Sequence, residues 1–494
     1  MTNIYKKLAG QTAIYGMSSI IGRLLNYLLV PLYTRIFAPE VYGVVVELYA
    51  YVGFLLIILT YGMETGFFRF SQQKETLHKT YSTIISSLFI TSLLFIILVY
   101  LFLKPISNAM NYGSNPEYIL WLAIIVAIDV LIAIPFAKLR LKEKAVKFAS
   151  IKIFNICINI GSNLFFLVLC PKIMQSNPDS LILNVYSPAI GVGYVFISNL
   201  IANILTLIVL LPEILNVKYQ FDLKLLGKIL IYSSPLLISG LAGMVNETLD
   251  RILLKYLLPD SVNPMHQIGI YGANYKLAIL MTLFIQMFRY AAEPFFFSQY
   301  KEKDSEKTYA QVTKYFIICG LCIFLVIMLY IDIVKYFIHS SYHSGLKVVP
   351  ILLIANLFLG IFYNLSIWYK LKDLTRYGAL LTVFGAVITV VLNVILIPKI
   401  GYMGSAWATL ACYSLMTVAS YLWGKKHYKV PYDLKNIFVY FIVAGGLFLI
   451  SKLIKTENQI IVYSINTLLM IAFIVFIVIK ENILKRFIKN KNRL

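Results

Sequence analysis

The chain has 494 residues, 60% hydrophobic and 13% charged, with a formal net charge of +22 and a mean hydropathy of +0.80. That apolar share lies well above a soluble domain's and excludes one. The positive charge does not point to nucleic acid: Lys and Arg sit in short gaps between apolar runs, the pattern of loops facing an anionic leaflet.

At roughly 20 apolar residues per span, the sequence predicts an all-α polytopic membrane protein of about fourteen transmembrane helices. They fall at 12–34, 41–62, 80–103, 117–137, 148–170, 189–211, 229–248, 268–292, 310–331, 347–368, 377–397, 402–423, 436–454 and 460–479. The first contains Arg23 and has no small-residue cleavage site after a short apolar core, so it reads as a retained span and not a signal peptide. The second begins "YGVVVELYAYVGFLLIILTYGMETGFF" (42–68), with Glu47 as the sixth residue. A charge near the bilayer centre costs roughly 2.5–3.5 kcal/mol on insertion scales, so Glu47 needs a partner, a cavity or a job. In the fourth, "LAIIVAIDVLIAI" places Asp129 near the midplane with no cation within one turn. Asp129 is thus a candidate for coupling to H+ or Na+; the alternative is a protonated acid bonded to a neighbouring helix.

Cys157, Cys170, Cys319, Cys322 and Cys412 all lie inside or at the ends of apolar runs, which implies no disulfide framework. The C-x-x-C of Cys319 and Cys322 is mid-helix and lacks a second ligand pair, so packing explains it. His339 and His343 lie four apart beside the membrane without a third ligand, as in a loop or helix end. No metal site, catalytic nucleophile or phosphate-binding glycine loop is evident.

Assigning cations to alternate sides gives 30 on the side of the termini and 10 opposite. The positive-inside rule then places both termini and the loop 138–147 in the cytoplasm, and 110–117 outside. Arg23, Lys152, Lys276 and Arg289 remain within the spans.

The second span recurs 229 positions on as "YGANYKLAILMTLFIQMFRYAAEPFFF" (271–297), with seven identities in 27. "NYLLVPLYTRIFAPE" (26–40) aligns with "NETLDRILLKYLLPD" (246–260), and "NLFFLVLCPK" (163–172) resembles "NVILIPK" (393–399). Two six-helix units follow, in parallel because six is even: an N-lobe at 1–212 and a C-lobe at 229–424, joined by a cytoplasmic linker at 213–228 and followed by two helices and a basic tail at 425–494. Glu47 aligns with Lys276, opposite charges that can meet across the lobes as a gate. Arg23 aligns with Gly243, so symmetry requires no charge there.

The residues "SSIIGRLLNYLLVPLYTRIFAPEVYG", "RYAAEPFFF" and "LNVILIPKIGYMGSAWATLACY" (392–413) resemble signatures of the oligosaccharide-lipid flippases (Wzx type) of the multidrug/oligosaccharidyl-lipid/polysaccharide exporter superfamily. The resemblance implies two six-helix lobes plus two helices, in the bacterial cytoplasmic membrane. It implies a non-enzymatic flippase moving an undecaprenyl-diphosphate-linked oligosaccharide from the cytoplasmic to the periplasmic leaflet by alternating access, often with a cation gradient. The partners are the polyprenyl-diphosphate-linked glycan, the bilayer and a polysaccharide polymerase. A lipid II flippase and a multidrug cation antiporter of the same superfamily are the alternatives, the latter disfavoured by Arg23 and Arg289. The expected cargo contacts are Arg23, Arg289 and Lys276, since fixed cations replace the hydration of a diphosphate. Glu293, one turn from Arg289, offers a structural pair instead.

Overall fold

A computed structural model describes residues 20–72, 74–217, 220–300, 302, 304–454, 456 and 458–482, and every regular element among them is helical. Among the described residues eleven helices are long and apolar enough to cross a membrane, twelve if the pair Pro264–Leu277 and Ile279–Gln299, bent by 49°, counts as one span. Helix Tyr402–His427 and the helical residues between 20 and 36 occupy the two remaining expected positions. Residues 12–19 of the first expected span and the tail after 482 lie outside the described residues. The chain is a multi-pass membrane protein.

Local chemistry sets the helix ends. Proline, whose missing N–H costs nothing in the first turn, opens Pro39–Thr60 and Pro116–Leu141. Asp222 caps Leu223–Leu257 by accepting from the backbone N–H of Lys224 (2.8 Å) and Leu225 (3.0 Å). Between Pro39–Thr60 and Met63–Phe70, Tyr61 and Gly62 adopt positive φ of 32° and 72° and interrupt the span.

The chain forms two compact units. The first comprises 1–273 with 379–408, the second 274–378 with 409–494, a grouping that cuts across the sequence division near 212–229. In the first, Pro116–Leu141 lies between Lys74–Leu101 and Gly193–Leu215. Its core includes Ile128, Ile132, Phe136 and Leu139, packed on Phe148, Ile151 and Leu210. Leu223–Leu257 packs along Pro39–Thr60. Where Pro39–Thr60 meets Pro264–Leu277, a Cβ on Gly43 would run into the Met265 carbonyl and one on Gly269 into that of Pro39, so this backbone crossing requires both glycines. In the second unit, Ser305–Leu329 packs on Val349–Leu365 and Leu434–Leu453. Lys314 joins Glu481 at 2.8 Å, and Tyr440 donates to the same carboxylate.

Several contacts recur at repeat-related positions. Arg140 binds Glu64 in the first unit, and Lys370 binds Glu293 at 2.6 Å in the second, each offset by 229 or 230 residues. Glu143 and Asp373 both have positive φ (54° and 55°) at the turn that follows. There Lys144 N–H reaches the Leu139 carbonyl at 2.9 Å, and Leu374 N–H the Tyr369 carbonyl at 2.7 Å. Tyr81 stands edge-on to Phe67 (6.0 Å), as Tyr309 does to Phe296 (5.1 Å). Asn159 donates to Asn26 at 3.3 Å; at the matching positions Thr389 donates to Asn246 at 3.1 Å.

Candidate functional site

Glu47 is fully buried, and its cation is Lys255. The sequence paired Glu47 with Lys276; the structure gives it Lys255, because Leu223–Leu257 runs nine residues beyond the expected end at 248 and carries that ammonium inward. Lys255 Nζ donates to Glu47 Oε1 (2.9 Å), Glu47 Oε2 (3.0 Å) and the Met110 carbonyl (2.6 Å), which occupies all three of its hydrogens. Asn111, at φ 58°, turns the chain so that the Tyr112 hydroxyl also donates to Glu47, with its ring 4.2 Å from the ammonium. Three segments distant in sequence are thereby tied at one point. Lys276 lies half-buried in the last turn of Pro264–Leu277.

A second polar cluster lies in the same unit. Asp129 accepts from Asn203 Nδ2 at 2.9 Å and is within electrostatic reach of Lys152, whose ammonium sits 4.2 Å from the Phe136 ring centre. The acid that looked isolated in its own helix therefore has partners from two neighbours. Asn155 donates to Asn203 (3.2 Å) and Thr206 (2.9 Å). Four residues on, Asn159 reaches Asn26; four further, Asn163 donates to the Asn159 carbonyl at 2.8 Å and accepts from Tyr33 at 2.9 Å. One face of Ala145–Leu164 is thus a ladder of carboxamides. Asn199 of Gly193–Leu215 adds another, donating to Tyr49 at 2.7 Å.

Arg23 is exposed and has no hydrogen-bond or ion-pair partner among the described residues. The acids that would neutralise it are taken, Glu47 by Lys255 and Asp129 by Asn203. Asn26, three residues on, touches the ladder, so Arg23 lies on the ladder's side of its helix. Gly22 packs on Ile156 of the same ladder helix. In the second unit, Arg289 lies 3.8 Å from Glu293 and 4.2 Å from the centre of the Tyr363 ring, while Lys370 holds Glu293 more closely. These groups, with Asn364, line a shallow pocket. Among the described residues Arg289 is thus partnered and Arg23 is not.

His339 caps a 3-10 turn by accepting from Ser341 N–H, and His343 faces the Lys335 carbonyl at 3.0 Å. Cys319 and Cys322 are free thiols. Among the described residues no three His, Cys, Asp or Glu side chains gather as metal ligands. Sequence reasoning missed Lys255, Tyr112 and the ladder. Asn155, Asn159 and Asn163 at four-residue spacing inside an apolar run were the available signal for the last.

A family model described as "Polysaccharide biosynthesis protein" matches residues 8–297. Among solved structures, a lipid II flippase MurJ in an inward closed conformation is 15% identical, with a TM-score of 0.68 over 94% of this chain and 99% of that one. A MATE transporter in the straight conformation is 14% identical, with a TM-score of 0.61 over 85% and 95%. A MOP superfamily transporter from Pyrococcus furiosus is 14% identical, with a TM-score of 0.53 over 84% and 95%. At such identities the likeness shows the fold. No curated protein sequence gives a significant match.

Proposed function

The chain belongs to the polysaccharide biosynthesis protein family, and we propose that it flips an undecaprenyl-diphosphate-linked oligosaccharide from the cytoplasmic to the periplasmic leaflet of a bacterial inner membrane, by alternating access, for surface polysaccharide assembly. The observation that carries this reading is Arg23, an arginine inside a membrane helix with no acid partner among the described residues and a glycine, Gly243, at its repeat position. A charge that neither symmetry nor pairing explains is there for a ligand. Its planar fork takes a diphosphate through two charge-assisted hydrogen bonds, and the polyprenyl tail stays in lipid. An organic cation would be repelled by the same group.

Asp129 is the carboxylate assigned to cation coupling; Asp129→Asn should uncouple transport from the gradient while leaving the protein inserted. Both termini and the loop 138–147 face the cytoplasm in this reading, which impermeant labelling of single cysteines in those loops checks. The deciding experiment is deletion of the gene followed by identification of the lipid-linked glycan that accumulates on the inner leaflet. Complementation by Arg23→Lys should be partial and by Arg23→Ala absent at normal protein levels. A fully active, normally expressed Arg23→Ala would overturn the role of Arg23, and accumulation of lipid II alone would reassign the cargo.

A further inference from the structure

The two repeats share their scaffold contacts, so a polar group found in one repeat alone is not explained by folding. Asn26 and Asn163 have counterparts in Asn246 and Asn393, and both sets make equivalent hydrogen bonds. The other ladder positions do not keep their carboxamides. Asn155 and Asn159 correspond to Gly385 and Thr389, and Lys152 to Thr382. Gly191 and Gly401, at φ 50° and 59°, fix the register of the next helix. By that register Asn199 corresponds to Thr409 and Asn203 to Tyr413. The first repeat has concentrated carboxamides on two adjoining helix faces, beside Arg23.

These groups have hydrogen-bonding capacity to spare. Among the described residues, Asn26 Nδ2 donates to nothing, and Asn155 Oδ1 and Asn199 Oδ1 accept from nothing, while their other amide atoms are engaged. Inside a membrane protein, open valences on neutral groups are expensive unless water or a ligand fills them. A carboxamide offers a donor and an acceptor side by side, which matches the vicinal hydroxyls of a pyranose. Being neutral, it adds no attraction for the diphosphate itself.

We propose that Asn155, Asn159 and Asn199 form a carbohydrate subsite, in which the sugars nearest the diphosphate lie along the ladder of Ala145–Leu164 while the diphosphate is held at Arg23. This rests on the flippase reading above and divides its cargo between a charged and a neutral part. Arg23 then reads the feature common to all such carriers, and the ladder reads the glycan.

The test uses the full-length protein in nanodiscs with two probes, undecaprenyl diphosphate and undecaprenyl-diphosphate-N-acetylglucosamine. The wild type should bind the sugar-bearing probe more tightly. Asn155→Ala combined with Asn199→Ala should weaken that probe alone, by roughly tenfold, as the loss of a net hydrogen bond or two gives. Retained binding of bare undecaprenyl diphosphate by the double variant shows that it is folded. Arg23→Ala should weaken both probes. Equal wild-type affinity for the two probes, or an asparagine variant that weakens both alike or neither, overturns the subsite and leaves the flippase reading standing. A wild type that binds neither probe overturns both.

Discussion

The turns that close the two repeats' ion-paired helix ends and the faces of their helices have fared in opposite ways. At the ends, Glu64–Arg140 and Glu293–Lys370 conserve charge and place, followed by turns with the same left-handed residue. On the faces, Arg23, Lys152, Asn155 and Asn159 stand opposite Gly243, Thr382, Gly385 and Thr389. A six-helix unit needs its ends tied and its helices in register, so those devices persist in both copies. What only one copy holds has been released from that duty and is available for cargo. Glu47–Lys255 is also confined to one copy, since by the repeat alignment its counterparts are Lys276 and Arg35, two cations that cannot pair, but it is buried and fully bonded and so serves structure and not cargo.

The sharpest way to break this division is at the buried pair. Glu47→Gln alone should destabilise the protein by about 3–5 kcal/mol, because it strands a buried ammonium. Adding Lys255→Met should recover much of that loss, read as thermal unfolding in detergent. A double variant as unstable as the single would mean that the pair is not the unit of stability there. Next come the shared asparagines: Asn163→Leu should cost about 1–3 kcal/mol, since it strands the Tyr33 hydroxyl and a backbone carbonyl, and Asn393→Leu should cost less, since its Oδ1 accepts from nothing among the described residues. An Asn393→Leu loss as large as that of Asn163→Leu would show that the Tyr33 bond adds nothing.

Smaller effects belong to the half-exposed ion pairs. Glu64→Ala and Glu293→Ala should each cost no more than about 1 kcal/mol, and the charge swap Glu64→Arg with Arg140→Glu should be milder than either single swap. The smallest effect is at Asp222, outside the spans. A hydrogen bond from Lys79 (2.6 Å) and the Leu225 N–H pull its carboxyl down to about 2 from 3.8. Because the folded value is the lower one, its contribution is present above about pH 4 and is lost as pH falls toward 2. Asp222→Asn should flatten that component of an acid-unfolding curve by slightly lowering the neutral-pH midpoint while leaving the stability near pH 2 nearly unchanged.

Much of the architecture was legible because membrane spans announce themselves by length and hydropathy, and because the duplication left "YG", "EPFFF" and "LNVILIPK" visible. Two further echoes were equally plain: "KTY" at 79–81 and 307–309, and "LKE" at 141–143 against "LKD" at 371–373. Arg23 could be singled out because an acid-free neighbourhood is a local property. The partner of Glu47 could not, since Lys255 and Tyr112 are 208 and 65 residues away and are brought in by a helix overrun and a left-handed asparagine. The partners of Asp129 were hidden for the same reason. Periodicity within one helix says nothing about Asn203 on the next.

The connection between the fifth and sixth helices has its own consequence. From Asn163 to Gly191 the chain takes 28 residues, whereas from Asn393 to Gly401 it takes 8. The extra length includes a π-helical turn at Phe165–Leu169 and the short 3-10 segments Leu181–Val185 and Pro188–Ile190. Both routes deliver the next helix through a glycine of positive φ, so the added stretch leaves the bundle's register alone. A place where duplication has already accommodated twenty surplus residues is a natural port for engineering, and an epitope or a small fluorescent domain spliced between Asn177 and Ser180 should leave the spans on either side undisturbed.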